Sequence, residues 1–583
     1  MPHAGLALAA LCAVAAMSAA ADPPDVVNVR TAGAVPDDGK DDTAALRSAI
    51  TRCRQTPGSV LSFGGGRYDF FPDPAGPEGR QRAMVFRNLK GLTVDGGGAV
   101  LIFHGVLGAM QFTNCEKLVV RNLTIDADRP TFSTGKVVAA ADRHFDVEVF
   151  AEFPVKGGEP IGAFMEYDPQ TLWPRRRCLD VYDAVERTEL LRPQVLRVHL
   201  KRPIRATPGV LMVLRHAVYG PNAINLDGCI GVRVENVTIH TTPGMGVRGG
   251  QTTDVSLKHV RVVPRPGTRR IMSATADATH FNACSGSIRI EDCTFQGMGD
   301  DATNVHGMFH RVTARLDDRS VTTVVRNKWL IPPRPGHRIE FTDPSTLLPY
   351  ATGAVESVRL DRAARTHRLV FTEPLPERLA AGHALGNVDW APRLRIRNCQ
   401  VIGNRARGFL IQTRDAVIEG NTFCHSQSTG INVTTDFDYW TESIGTRRIV
   451  IRNNTFEDLN KGATWHPGVI SVFADLKGPT HAAPGVHRDL LIEHNTIRDT
   501  DGAAVFVSAA DGVVIRANHI ADCCKNPGKP QATAAVYIQN SRNVLITANR
   551  LAPAPRSPTM KTPLTIGAGC DPATISVRDN QGF

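Results

Sequence analysis

Residues 449–456 (IVIRNNTF) and three later copies, 490–497 (LLIEHNTI), 513–520 (VVIRANHI) and 544–551 (VLITANRL), decide the fold. Each alternates apolar and polar residues, as a strand with one buried face must, and then places an asparagine at a turn. Earlier copies are LVVRNLTI from Leu118, VRVENVTI from Val232, VSLKHVRV from Val255, IRIEDCTF from Ile288 and LRIRNCQV from Leu394. Such repeats predict a solenoid, in which each coil buries its apolar face against the next.

The asparagines of this unit give the length of a coil. They are separated by 33, 41, 23 and 31 residues, which describes coils of about 23 residues that tolerate insertions. An inward asparagine at a bend can hydrogen-bond the asparagine of the next coil. The residues concerned are Asn421, Asn454, Asn495, Asn518 and Asn549.

The N-terminal segment predicts a cap for the solenoid. Residues 29–53 (VRTAGAVPDDGKDDTAALRSAITRC) contain one amphipathic helix, for which Thr43 can act as the N-cap, ahead of the strand-like GGGRYDF. The segment is similar to the cap of pectate-lyase-like β-helices. We therefore expect an all-β, right-handed parallel β-helix. The acidic run Asp37, Asp38, Asp41 and Asp42 is expected to be structural rather than a calcium site.

Two stretches interrupt the repeats with short strands such as HFDVEVF, VLRVHL, VTTVVRN and HRLVF. They predict two small inserted β-barrel domains, and insertions that leave a solenoid from one face often wall its binding cleft. The expected organisation is a signal peptide (1–21), a cap with the first coils (22–125), a first inserted barrel (126–215), coils carrying the catalytic residues (216–310), a second inserted barrel (311–392) and C-terminal coils (393–583).

Composition limits the partners. Residues 1–21 form an apolar stretch that ends in small residues, which predicts export to the periplasm or the medium and no membrane segment after cleavage. Lys and Arg exceed Asp and Glu by 10, but the charges are scattered, which argues against nucleic acid as a ligand.

The cysteines that remain after removal of residues 1–21 are odd in number and show no zinc-binding spacing, so we expect free thiols stacked between coils. Only Cys523, Cys524 and Cys570 suggest a disulfide. A homo-oligomer is compatible with the sequence.

The densest chemical signal is residues 273–307, which contain Asp277, Asp300 and Asp301. Asp277 precedes Asp300 by 23 residues, one coil, so we expect both at the same corner of adjacent coils, about 4.8 Å apart. Like-charge repulsion among three carboxylates raises at least one pKa, as a general acid beside an ionised base requires. His280, Asn304 and His306 add donors of the kind that bind sugar hydroxyls.

Motifs throughout the chain resemble those of glycoside hydrolase family 110, the exo-acting α-1,3-galactosidases that remove terminal galactose from blood-group-B-type and related glycans. The segments that carry the resemblance are FGGGRYDF (63–70), LRHAVYG (214–220), TADATHF (275–281), GDDATNVHG (299–307), NRARGFLIQT (404–413) and DYWTESIGTRRIVIRNN (438–454).

The resemblance implies an inverting hydrolase without metal or other cofactor, in which Asp300 is the general acid and Asp277 and Asp301 hold and deprotonate the attacking water. Inversion requires carboxyls about 6.5–9.5 Å apart. Several further residues match family segments and are expected to line the sugar subsite, with the indole stacking on the sugar. They are Arg215, His216, Arg405, Arg407, Trp440 and Glu442.

Two other functions remain open from the sequence. The polygalacturonases of glycoside hydrolase family 28 share the fold and the aspartate pattern, and a basic protein suits their acidic substrate. Those enzymes usually have a separate Gly-His-Gly motif a further coil on and an Arg-Ile-Lys triplet, whereas here His306 and Gly307 follow the aspartate pair directly and no Arg-Ile-Lys triplet occurs. A non-catalytic glycan-binding solenoid would explain the repeats but gives no reason for three aspartates in coil register.

Overall fold

The structure is a computed structural model that describes residues 25–77, 80–324, 331–462, 467–476, 482–526, 533–553 and 559–583. The expected signal peptide, residues 1–21, lies outside the described residues. Within them, one α-helix, Thr43–Gln55, and the 3₁₀ helices Val29–Ala32, Val388–Trp390 and Pro572–Thr574 accompany a large number of β-strands. None of the described helices is long and apolar enough to span a membrane. The all-β class is confirmed.

The solenoid consists of two parallel sheets whose strands stack coil on coil, as the repeats predicted. The longer sheet has 23 described strands: Val26–Asn28, Val60–Ser62, Arg67–Phe70, Thr93–Phe103, Glu116–Ala127, Ile230–Ile239, Thr253–Lys258, Arg261–Val262, Ser285–Glu291, Thr294–Gln296, Arg393–Arg397, Gln400–Ile402, Arg414–Glu419, Thr422–Cys424, Arg447–Arg452, Thr455–Leu459, His487–Glu493, Thr496–Thr500, Ala510–Arg516, His519–Ala521, Arg542–Thr547, Arg550–Leu551 and Ile575–Arg578.

The second parallel sheet, called here the floor sheet, carries the residues discussed below. Its 12 described strands are Arg82–Arg87, Gly108–Thr113, Ile224–Asp227, Val247–Gly250, Thr279–Asn282, Thr303–His306, Phe409–Gln412, Ile431–Asp436, Gly468–Asp475, Ala503–Val507, Ala534–Ile538 and Thr562–Ile566. The apolar side chains of both sheets point inward and form one continuous core.

The asparagine ladder is confirmed. Asn454 donates from its backbone N and from Nδ2 to Oδ1 of Asn495, each at 3.0 Å, and Asn495 bonds Asn518 in the same way. The series runs from Asn421 through Asn549 and ends on Asn580. Each buried amide thereby satisfies the backbone at a bend that no strand pairing reaches.

The acidic run has a structural role in the N-terminal cap. Asp42 accepts from the backbone N of Val35 at 3.0 Å and of Asp69 at 3.2 Å, which ties the cap to the first coils. Thr43 is not the N-cap: it is the first helical residue, and its backbone N donates to Asp41 Oδ1 at 3.1 Å. The Thr43 hydroxyl donates to the same Asp41 oxygen at 2.6 Å, so it is directed at Asp41 rather than at the amides of the first turn.

Two antiparallel insertions interrupt the solenoid on either side of the strands Thr279–Asn282 and Thr303–His306. The first is a seven-stranded sheet of Phe132–Ala141, His144–Val149, Ala163–Tyr167, Asp180–Tyr182, Val185–Arg192, Val195–Leu200 and Leu211–Arg215. The second is a closed barrel of Phe309–Arg315, Ser320–Val324, Arg338–Thr342, Pro349–Asp361, Thr366–Phe371 and Ala384–Asn387. The second insertion is therefore a closed barrel, as predicted. The described strands of the first insertion form an open sheet with two edge strands, which differs from the predicted barrel.

The described cysteines are free thiols. Cys115, Cys293 and Cys399 are buried between coils, as expected for small apolar side chains in a solenoid. Cys523 and Cys524 have their sulfur atoms 3.9 Å apart, and neither is bonded to Cys570.

Candidate active site

Asp277, Asp300 and Asp301 lie just before two adjacent strands of the floor sheet. One carboxylate oxygen from each comes within 4.8 Å of the other two. The strand register pairs Thr279 with Thr303, which places Asp277 level with Asp301. The expectation that Asp277 shares its corner with Asp300 is therefore wrong, because the register here advances by 24 residues rather than 23.

Asp277 and Asp301 are buried and hydrogen-bonded through both of their oxygens. Asp277 is 3% exposed, and it accepts from the backbone N of Asp301 at 3.2 Å and bonds His280 Nδ1 at 2.6 Å. Asp301 is 1% exposed, and it accepts from the backbone N of Arg407 at 3.0 Å and from Arg407 Nη2 at 2.6 Å. These two carboxyls are fixed in position by their partners.

Asp300 has fewer close hydrogen-bond partners than Asp277 and Asp301, and its side chain is more exposed to solvent. Its side chain is 14% exposed. The Tyr219 hydroxyl donates to Asp300 Oδ2 at 2.5 Å, and Arg405 Nη1 lies 3.5 Å from Asp300 Oδ1. Among the three carboxyls, Asp300 is the one that a bound substrate can reach without displacing a buried partner.

The electrostatic environment separates the three carboxyls. Burial and the charge of Asp300 raise the pKa of Asp277 well above its ordinary value. Burial, only partly offset by Arg407, likewise raises the pKa of Asp301. Burial also acts on Asp300, but Arg405, Arg407 and the Tyr219 hydroxyl outweigh it and lower the pKa of that carboxyl. Ionisation is therefore favoured at Asp300 and opposed at Asp277 and Asp301.

The first insertion supplies an aromatic and two charged groups to this site. Arg215 Nη1 donates to the backbone oxygen of Gly299 at 2.5 Å, next to the aspartate pair. The ring of Tyr182 faces both Arg215 and Arg405, with guanidinium carbons 4.8 and 4.7 Å from its centroid. Asp180 accepts from Arg405 Nε at 2.8 Å. These contacts fix Arg405 against the insertion and orient it toward Asp300.

His280, Asn304 and His306 point from the floor sheet into the same site. The register places His280 beside Asn304, and the two imidazole Nε2 atoms of His280 and His306 are 3.0 Å apart. Glu442 Oε1 lies 3.6 Å from His306 Nε2, while its Oε2 accepts from Gln412 Nε2 at 2.7 Å. The buried Oδ1 of Asn304 has no partner among the described residues, so it can accept a hydrogen bond from a ligand hydroxyl.

Trp440 and His216 are placed differently from these residues. The Trp440 side chain is 50% exposed and packs edge to face against Tyr439, with ring centroids 4.8 Å apart. This arrangement suits a platform at the rim of the site on which a sugar ring stacks.

His216 bonds Ser133 Oγ at 2.8 Å and the backbone oxygen of Pro160 at 2.9 Å inside the first insertion, and burial lowers its pKa to about 4. The described contacts thus give His216 a structural role.

Sequence reasoning missed Tyr219, Tyr182, Asp180 and Gln412. Tyr219 is part of the LRHAVYG segment and could have been proposed from it. Tyr182 and Asp180 carried no signal, because both contact Arg405 from far earlier in the chain, Asp180 from 225 residues away. Gln412 lies in the NRARGFLIQT segment, but nothing in the sequence distinguishes it from any other polar residue of a strand.

Comparison with known proteins gives relatives over most of the chain. Residues 385–553 match the family model described as right handed beta helix region. The chain is 26% identical to the alpha-1,3-galactosidase B of Bacteroides thetaiotaomicron, with 90% of this chain and 91% of that protein covered. It is 29% identical to the alpha-1,3-galactosidase B of Akkermansia muciniphila, with 92% and 71% covered.

Among solved structures, the chain is similar to the family 28 exopolygalacturonase of Yersinia enterocolitica. The TM-score is 0.49 at 11% identity, with 96% of this chain and 79% of that chain covered, and the likeness bears on neither substrate nor reaction. The sequence relatives confirm the family resemblance drawn from the motifs. The chain is therefore a glycosidase with a right-handed parallel β-helix, homologous to the bacterial proteins named alpha-1,3-galactosidase A and B.

Proposed function

We propose that this glycosidase removes terminal α-1,3-linked galactose from blood-group-B-type or linear α-galactosyl glycans. The observation that carries the proposal is the cluster of Asp277, Asp300 and Asp301 on the floor sheet, in a chain whose relatives are named for this activity. The two insertions flank these residues along the chain, which suits a site that accepts the end of a glycan rather than its middle.

In this proposal Asp300 protonates the leaving oxygen, and Asp277 and Asp301 hold the attacking water. Asp300 is suited to this role because it is the most exposed of the three. Its lowered pKa favours the ionised form, so it has to gain a proton before it can act as the acid. A bound sugar removes the remaining water from Asp300, which penalises its charge and favours that gain.

We propose inversion without metal. Both oxygens of Asp277 and of Asp301 are engaged, which favours positioning a water over direct attack on the sugar by either carboxylate. The closest oxygens are nearer to one another than the roughly 6.5–9.5 Å of most inverting enzymes, so the proposal requires the water to lie beside the cluster rather than between its members. Arg407 already supplies the positive charge that a metal would bring to Asp301.

The test is the release of galactose from a blood-group-B trisaccharide and from a linear α-1,3-galactoside, with the anomer followed by proton NMR in the presence of a chelator. Wild type should release β-galactose first. Asp300→Asn should lower kcat by about 10²–10⁴-fold, whereas Asp318→Asn, at an exposed turn of the second barrel, should leave it unchanged. α-Galactose as first product would overturn inversion. Digestion of polygalacturonate alone would overturn the substrate.

We also propose that the chain is exported and that residues 1–21 are removed. The apolar stretch followed by small residues before Asp22 supports this. N-terminal sequencing of the protein recovered outside the cytoplasm should begin at Asp22, and recovery of an intact Met1 from the cytoplasm would contradict export.

A further inference from the structure

A chain of three hydrogen bonds connects a backbone carbonyl to Asp277. His306 Nδ1 bonds the oxygen of Gly307 at 2.6 Å, His306 Nε2 lies 3.0 Å from His280 Nε2, and His280 Nδ1 lies 2.6 Å from Asp277 Oδ2. These contacts use both nitrogens of both rings. The two imidazoles meet edge to face, with centroids 5.0 Å apart.

The carbonyl at one end fixes the number of protons in the chain. A carbonyl only accepts, so His306 Nδ1 must carry a hydrogen. Each of the other two contacts also requires one hydrogen, since two bare nitrogens, or a bare nitrogen and a carboxylate, repel each other. Three hydrogens therefore occupy the chain. A carboxylate with two neutral imidazoles has only two, so the chain contains one additional proton.

The surroundings place that proton at the Asp277 end. Burial lowers the pKa of His280 to about 4 and also lowers that of His306. The charged groups that face the two rings are Asp300 and Glu442, which favour a cation, and Arg248 and Arg407, which oppose it. Burial nevertheless outweighs the two carboxylates, so both imidazoles are neutral and Asp277 carries the proton.

We infer that His280 and His306 are positioning residues that store on Asp277 the proton that Asp300 delivers to the leaving oxygen. The inference rests on the proposed function and deepens it. When the sugar binds, the O–H bond on Asp277 breaks and one forms on Asp300, relayed through one water between carboxylate oxygens that lie within 4.8 Å of each other. Asp277 is then a carboxylate and can serve as the base, with the His280 hydrogen moved to Nδ1 to donate to it and the contact between His280 Nε2 and His306 Nε2 given up.

The reaction then returns the site to its resting state. Asp300 gives its proton to the glycosidic oxygen as the bond from that oxygen to the anomeric carbon breaks. Water forms the new bond to the same carbon and gives its proton to Asp277. The products leave Asp277 protonated and Asp300 ionised, which is the distribution that the two pKa shifts favour before a sugar binds. The cycle therefore closes without any proton from solvent.

The experiment compares pH–rate profiles of wild type, His306→Phe and His306→Gln on whichever glycoside wild type cleaves. Phenylalanine removes the acceptor for His280 Nε2, so His280 can turn its hydrogen to Nδ1 and donate to an ionised Asp277. This favours the anion and lowers the pKa of Asp277. The alkaline limb should move down by about one pH unit or more, and kcat at the wild-type optimum should fall about 10²-fold.

Glutamine offers His280 an acceptor oxygen, so His306→Gln should restore the wild-type alkaline limb. His519→Gln, at an exposed position on a strand of the longer sheet, is the control and should match wild type. Circular dichroism establishes that each variant is folded. Equal losses in the Phe and Gln variants with an unmoved alkaline limb would overturn the proton store and leave a packing role. Because the comparison uses any glycoside that wild type cleaves, it stands independently of the galactose assignment.

Discussion

Replacing Asn495 with alanine is expected to destabilise the C-terminal coils by about 2–6 kcal/mol. Asn495 Nδ2 donates to the backbone oxygen of Ile451 and to Asn518 Oδ1, each at 3.0 Å. Asn495 Oδ1 accepts from the backbone N and from Nδ2 of Asn454, also at 3.0 Å. Alanine leaves the Ile451 oxygen and the Asn454 backbone N buried without these partners. Each unsatisfied group costs about 1–3 kcal/mol.

The assay is urea unfolding followed by circular dichroism, with the midpoint and slope of each transition fitted separately, because long repeat arrays need not unfold in one step. The matched control is Gln400→Ala, an exposed amide on a strand of the same sheet. Its effect should stay within about 0.5 kcal/mol. If Asn495→Ala loses no more unfolding free energy than Gln400→Ala, the view that the asparagine ladder satisfies the backbone groups at the bends is refuted.

Three further outcomes follow. Tyr219→Phe removes the hydroxyl that helps lower the pKa of Asp300, so the acid limb of kcat/KM, where Asp300 gains a proton, should move up by about one pH unit, and an unchanged acid limb would count against that contact. Trp440→Ala should raise KM several-fold with kcat nearly unchanged, as measured by initial rates, because the exposed ring contacts only the rim. Burial opposes the charge of Asp69, but Arg67 and His104 outweigh it and lower its pKa, so its contribution to stability is present above its unfolded pKa and disappears as pH falls through the folded value. Thermal unfolding of Asp69→Asn should accordingly show a weaker dependence on pH in the acid range than wild type.

The sequence by itself determined the solenoid. Alternation such as IVIRNNTF is a local consequence of burying one face of a strand, and the recurring asparagine marks a bend that must satisfy its own backbone. Both signals lie within a few residues of one another, so the sequence shows them without any knowledge of tertiary contacts. The segments TADATHF and GDDATNVHG, which carry the family resemblance, similarly identified Asp277, Asp300 and Asp301.

The tertiary structure alone decided how these carboxyls differ. The strand register set Asp277 beside Asp301, and the segment that follows the first insertion brought Tyr219 to Asp300 from 81 residues earlier in the chain. The proton shared with His280 follows from a carbonyl at the far end of a contact chain. Registers, insertions that pack back on the solenoid and hydrogen-bond directions depend on long-range packing. Their energies come from desolvation and from neighbouring charges, which no local pattern of residues records.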